Sequence, residues 1–291
     1  MKIGMTLPTM VPGLERRHIL EWSRRIDAGP YSSVAAGERI TFPNHEILVA
    51  LAAAAAVTER VRIAFTVIVL PLHSAALVAK KVATLDVLSG GRVSVGVGVG
   101  GREEDYRAVG ASFERRQKRM EEQVAAMRRA WAGEPPCEGA APVGPPPVQK
   151  GGPEVLVGAL QAGSIRRAAR WADGVSGFSF GPDVGEIGTA FETARAAWRD
   201  AGRSAPPRLV TSFWFALGDR GREAMDVYVK RYLGVFGADA AARMAKACRA
   251  TSASALRDSI GRIADVGADE LVLVPTTSDP DEVDRVADIV G

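Results

Sequence analysis

A closed (β/α)8 (TIM) barrel of the α/β class is the fold this 291-residue chain predicts. Three observations carry that prediction. Strand-like and helix-like segments alternate from end to end, giving eight pairs. Several of the strand-like segments, such as Val67-Ile68-Val69-Leu70 and Leu271-Val272-Leu273-Val274, are continuous apolar runs, as in parallel sheets buried on both faces. The length suits one barrel. An open doubly wound sheet is the alternative, and eight pairs favour closure over it. A single domain over residues 1–291 is expected.

The first strand, 2–7, begins directly after Met1 with no basic-then-apolar leader, so no signal peptide is expected. A helix over 14–27, a strand over 32–36 and a helix over 46–58 follow. The third strand, 61–69, and a helix over 75–88 lead to the most informative stretch. There Gly90 and Gly91 stop the helix, since a left-handed cap costs glycine no Cβ clash. The fourth strand, 92–97, is short and β-branched, and a glycine-rich loop succeeds it. A fourth helix spans 115–131. The proline- and glycine-rich stretch 133–153 then reads as an insertion before strand five, 154–157. A helix over 164–171, a strand over 174–178, a helix over 184–201 and a strand over 208–215 continue the alternation. After this seventh strand comes a second insertion: a bipartite helical region, 220–248 with 254–266, that is too long for one barrel helix and suits a lid or side wall. Strand eight, 270–274, and a helix over 281–290 close the chain.

Composition narrows the function classes. Hydrophobic residues at 47% supply a sizeable core. The net charge of +3 comes from basic residues mixed with acids, as in Glu15-Arg16-Arg17 and in Arg115-Arg116 near Glu121-Glu122. Such mixing reads as solvated helix faces rather than a nucleic-acid stripe. The nearest thing to a membrane span, 50–57, is too short and is flanked by Glu46 and Glu59. Cys137 and Cys248 form neither a metal spacing nor a disulfide framework, so a reduced cytoplasmic setting is expected. His18, His45 and His73 are too scattered for a metal site. His18 reads as structural, His45 as a loop residue near the mouth, and His73 either as a mouth residue or as a satisfied loop histidine. There is no Gly-x-Ser-x-Gly elbow and no Walker motif.

Three places carry candidate chemistry. Gly98, Gly100 and Gly101 strip side chains from the carboxyl end of strand four, where backbone can approach a flat ligand. The spacing Gly96-x-Gly98-x-x-Gly101 matches a dinucleotide fingerprint in letters only, because it sits on the fourth strand and acids follow it. The second place is the loop from Gly158 through Gln161, Ala162 and Gly163 to Ser164, where small residues precede a helix. Free amides there suit a phosphate, and the alternative is that Ser164 merely caps its own helix. The third is Glu38-Arg39, at the carboxyl end of strand two, the end where barrel enzymes do their chemistry. A surface ion pair is the competing account. On the catalytic reading, Arg39 grips a carboxylate or phosphate and Glu38 orients it or bonds a ring edge.

The run Ala83-Thr84-Leu85-Asp86-x-Leu88-Ser89-Gly90-Gly91-Arg92-x-x-x-Gly96-Val97-Gly98-x-Gly100 resembles the luciferase-like flavin and deazaflavin oxidoreductases. Leu51-Ala52-Ala53 with Arg60-Val61-Arg62-Ile63, Asp105-Tyr106 with Gly110, and Arg166-Arg167-Ala168-Ala169-Arg170 with Asp173-Gly174 extend the likeness over nearly the whole chain. The resemblance implies a barrel that binds deazaflavin F420 or reduced FMN at its mouth. Its ring would lie beside Thr66, Val67 and Ile68, where many members have a non-proline cis peptide, and its phosphate at the 158–164 loop. It implies hydride transfer to or from a small organic substrate, with F420 favoured. An FMN monooxygenase fed by a partner reductase and a non-catalytic binding barrel are the alternatives. A homodimer through the second and third helices is implied as well. Two departures stand out. Members with Asp-His or Glu-His after strand two differ from Glu38-Arg39 here, and Gly101 stands where others have a proton donor or a tryptophan.

Overall fold

Eight parallel strands close on one another in sequence order: β1 (Lys2–Thr6), β2 (Ser33–Ala36), β3 (Arg62–Val69), β4 (Val93–Gly98), β5 (Glu154–Val157), β6 (Gly174–Ser176), β7 (Arg208–Phe215) and β8 (Glu270–Pro275). The structure, a computed structural model, describes residues 1–159 and 161–291. Closure is explicit in the pairing of β1 with β8, where Lys2 lies opposite Glu270 and Met5 opposite Leu273. All eight expected strands are present. β6 ends two residues earlier than expected, although the Gly177 and Ser179 amides still donate to the carbonyls of Val210 and Ser212.

The surrounding helices are α1 (Arg16–Ala28), α2 (Ile47–Ala55), α3 (Ala75–Leu88), α4 (Glu103–Ala108), α5 (Arg116–Trp131), α6 (Ala162–Ala168), α7 (Val184–Asp200), α8 (Gly221–Leu233), α9 (Ala238–Ala247), α10 (Ala253–Asp265) and α11 (Asp281–Val290). The glycine stop of α3 is present, with Gly90 at φ 66 and Gly91 at φ 84. His18 is structural, accepting the Glu15 amide at 2.9 Å on Nδ1 in a reciprocal cap of α1. The short helix α4 was not anticipated, because six residues carry no readable helical period. Its first turn holds Glu103, Glu104 and Asp105, which suit the positive end of the helix dipole. The bipartite region after β7 divides into α8, α9 and α10.

The main core lies between sheet and helices, and Trp22 of α1 and Trp198 of α7 are almost fully buried in it. Inside the barrel, Ala35, Ala64, Leu156, Val210 and Val272 pack together. Below them, at the amino ends of the strands, Arg208 bridges Glu154 and Glu270, and Glu270 also accepts from Ser33 at 2.7 Å. The 133–153 stretch is tied to this same end. Gln149 donates to Asp86 through its amide at 3.0 Å and through its side chain at 2.7 Å, and to the Val93 carbonyl at 2.8 Å.

Candidate active site at the barrel mouth

The mouth is shaped first by β3. Its register against β4 shifts between Phe65 and Ile68, and the Thr66–Val67 peptide is cis. The displaced Val67 side chain needs space on the neighbouring strands, and glycines provide it. A Cβ on Gly98 would lie 2.8 Å from a Val67 methyl, and one on Gly158 would lie 3.0 Å away. A Cβ on Gly96 would sit 2.3 Å from the Phe65 carbonyl oxygen, and one on Gly100 would be 2.9 Å from Val69. Gly96, Gly98 and Gly100 therefore accommodate β3 before they accommodate any ligand. Gly101 differs, because nothing lies within 4 Å of its Cβ position.

Above this floor is a cavity of about 670 Å³. Thr66, Val67, Gly98, Gly100, Gly101, Gly158 and Gln161 line one side. The other side is aromatic. Phe178 and Phe180, which follow β6, meet Trp214 of β7 at centroid distances of 4.8 and 5.3 Å. Tyr228 and Tyr232, one turn apart on α8, approach Trp214 at 5.7 and 5.4 Å. Burial pushes the Tyr228 hydroxyl far above the ordinary phenol range, so it stays neutral. The only ionisable side chains lining the cavity among the described residues are Arg102, Tyr228 and Tyr232, with no carboxylate and no imidazole. At the floor, the buried Thr6 hydroxyl has no hydrogen-bond partner among the described residues.

A side recess of about 170 Å³ adjoins the cavity, sharing Thr66, Gly101, Arg102 and Tyr232 with it. Glu38 and Arg39 line it and diverge, as successive residues of an extended chain do. Glu38 accepts the Val69 amide at 2.7 Å and faces His73 Nε2 at 3.0 Å. The imidazole that Glu38 lacks next to it in sequence thus arrives from beyond β3. Arg39 Nε donates to Asp105 at 3.3 Å, and its guanidinium lies over Phe42 at 4.8 Å and Tyr232 at 5.6 Å. Burial lowers the Arg39 pKa, Arg102 lowers it further, and Asp105 opposes both. Burial pushes the Asp105 carboxyl up, but the Thr41 hydroxyl and amide together with Arg39 outweigh it and hold it below its usual range.

The expected site residues divide accordingly. The seven on the cavity wall and the pair in the recess come together around one opening. Ile68 is 3% exposed and packs in the core behind the sheet. Ala162, Gly163 and Ser164 do not line the cavity. They form the first turn of α6, which begins at Ala162 rather than Ser164, and Leu160 in the same loop lies outside the described residues. The Ser164 hydroxyl accepts from Arg167 at 3.2 Å, and the N-cap position belongs to Gln161. The 133–153 insertion contributes no residue to the cavity lining, and Gln149 ties it to the opposite end of the barrel. Sequence reasoning missed Arg102, Asp105 and the aromatic side. Phe178 and Trp214 stand near the carboxyl ends of their strands, and that position was the available signal.

A family model for luciferase-like monooxygenases matches residues 1–284, and the chain belongs to that family of oxidoreductases. An uncharacterised protein of Mycobacterium tuberculosis is 34% identical over 210 residues, 63% of this chain and 73% of the relative. The 4-hydroxyprotoasukamycin monooxygenase of Streptomyces nodosus subsp. asukaensis is 31% identical over 130 residues, covering 43% of this chain and 34% of the relative. Among solved structures, an F420-dependent secondary alcohol dehydrogenase in complex with an F420–acetone adduct superposes with a TM-score of 0.79 at 18% identity, covering 99% and 98% of the two chains. A monooxygenase from Streptomyces bottropensis gives 0.78 at 22% identity, covering 100% and 98%. At such identities these likenesses establish the fold. No helix among the described residues is long and apolar enough to cross a membrane, and none of their His, Cys, Asp and Glu side chains cluster into a metal site.

Proposed function

We propose that this chain is an F420-dependent oxidoreductase that moves a hydride between the deazaflavin and a small organic substrate at the barrel mouth. The observation that carries this reading is the large cavity without carboxylate or imidazole. Hydride transfer demands chiefly that donor and acceptor be held close in a dry site, whereas reactions built on general acids and bases need titratable groups there. The site suits a flat ring. Its floor is glycine-lined, Gly101 leaves open space, and the unpartnered Thr6 hydroxyl offers a hydrogen bond. The Ala162 and Gly163 amides at the start of α6 have no backbone acceptor among the described residues, and would meet the phosphate.

When bound, the deazaflavin would supply the hydride chemistry, with the protein contributing position and environment. Thr66, Val67 and Gly98 would support the ring, Gln161 and the first turn of α6 would hold its phosphate end, and the aromatic side would exclude water and orient the substrate. Glu38 would fix the mouth through the Val69 amide and His73, and Arg39 would draw an anionic group toward the recess. The working form would be a homodimer of single-domain chains in a reduced cytoplasm.

A second reading, an FMN-dependent monooxygenase using oxygen and a partner reductase, draws on two relatives. The 4-hydroxyprotoasukamycin monooxygenase and the limonene 1,2-monooxygenase of Rhodococcus erythropolis, the latter 37% identical over 84 residues, are monooxygenases by name. Titration of the purified chain with F420 and with FMN, followed by turnover with each reduced cofactor, tests both readings. Tight F420 binding with reversible reduction of the deazaflavin is expected. FMN binding with oxygen consumption would favour the second reading, and binding of either cofactor without turnover would leave a non-catalytic barrel.

A further inference from the structure

The two carboxylates nearest the side recess are already engaged. Glu38 accepts from the Val69 amide at 2.7 Å and lies 3.0 Å from His73, while Asp105 accepts the Thr41 amide at 2.7 Å, the Thr41 hydroxyl and Arg39 Nε. The cations keep donors to spare. The terminal nitrogens of Arg39 donate to no acceptor among the described residues, and Arg39 lines the recess. Arg102 lines both the recess and the main cavity. It gives one bond, 3.1 Å to the Tyr232 carbonyl, while its buried Nε has no partner among the described residues. Both guanidiniums flank the same ring, with Arg39 at 5.6 Å and Arg102 at 4.9 Å from the Tyr232 centroid. The two guanidiniums and the two carboxylates lining the recess balance in formal charge. The carboxylates are engaged while the guanidiniums keep free donors among the described residues, so what the recess offers a ligand is hydrogen-bond donors. Arg102 is among the causes that draw the Arg39 pKa down, after burial, as two guanidiniums flanking one ring require.

The aromatic side of the main cavity opens onto this recess through Tyr232, which belongs to both linings. We propose that the recess is an anion subsite for the substrate: the cavity takes a planar, largely apolar organic acid. Its ring lies against Trp214, Phe178 and Tyr228, and its carboxylate or ionised phenol sits between Arg39 and Arg102. Guanidinium forks match a planar oxyanion in two places, and the aromatic side supplies the apolar contact area. This inference rests on the reading of the large cavity as the active site, and it specifies the substrate class.

The test uses naphthoate and its uncharged analogue naphthamide, titrated calorimetrically against the full chain with and without F420 or FMN. Naphthoate should bind roughly tenfold or more tightly than naphthamide, as expected for a charge-assisted hydrogen bond. Arg102→Gln should abolish the preference and Arg102→Lys should keep part of it, with thermal unfolding checking that both variants fold. Arg102 is the residue to replace, because Arg39 is buried in an ion pair and its loss threatens the fold. Equal affinity for the two probes, or a preference that survives Arg102→Gln, overturns the inference. A naphthoate preference in a protein that binds neither cofactor would uphold the subsite while sinking the cofactor reading. Loss of cofactor binding in Arg102→Gln with the naphthoate preference intact would assign the recess to the cofactor, and overturns the inference.

Discussion

Gly98 exists for Val67: a Cβ at position 98 would stand 2.8 Å from a methyl of that valine, closer than real contacts allow. Gly98 and Gly100, at the end of β4 and just beyond it, thus make room for the displaced part of β3, and of the glycines there Gly101 leaves free space toward the cavity.

The two kinds of glycine should separate on substitution. Gly98→Ala is expected to cost about 1–3 kcal/mol through overpacking and to weaken cofactor binding as Val67 is pushed aside. Gly101→Ala meets no atom within 4 Å and should leave thermal unfolding unchanged. Equal stability of the two variants would show that Val67 yields freely.

Asp105 should matter most above the carboxylate titration range. Its folded-state pKa is lowered, so its stabilisation is complete above the unfolded value of about 3.9 and is lost as pH falls through the folded value. Asp105→Asn should therefore cost roughly 1.5–3 kcal/mol at neutral pH, and the gap to the parent chain should close only in acid. Urea unfolding across the acidic range measures this. A gap that persists unchanged in strong acid would remove the charge from the account.

The α6 turn offers a test that spares the fold. Nothing lies within 4 Å of a Cβ on Gly163, and an acid in the first helical turn is tolerated. Gly163→Asp should keep the melting temperature and weaken F420 or FMN binding by roughly tenfold or more, because it sets a negative charge against a phosphate. Unchanged affinity in titration would move the phosphate elsewhere.

Association should run through α2 and α3. Leu51, Ala54 and Ala55 of α2 are buried within the chain, yet Val49 of α2 and Leu77 and Leu88 of α3 are 66%, 56% and 69% exposed. Light scattering should give a dimer mass, and Leu77→Glu combined with Leu88→Glu should give a monomer. A monomeric parent chain would contradict the expectation.

The barrel was legible because its signals are local. Apolar runs such as Leu271-Val272-Leu273-Val274 mark doubly buried strands, and Gly90-Gly91 marks a helix end. Strand-end position likewise drew attention to Glu38 and Arg39. The partners of these two residues were not legible. Asp105 and His73 reach them across sequence gaps of 66 and 35 residues, and nothing in a one-dimensional pattern sets such a pairing. The aromatic side was missed for a related reason. Tyr228 and Tyr232 sit on a helix outside the barrel, and only its docking over the mouth turns them inward.

The charged bridge at the amino end has a kinetic corollary. Arg208, held between Glu154 and Glu270 beneath the packed layer of Leu156, Val210 and Val272, stops the barrel from below. The cavity is consequently a cul-de-sac, and whatever enters must leave by the same door. Two reactants lying one behind the other in it would have to arrive and depart in a fixed order, the deeper one first in and last out.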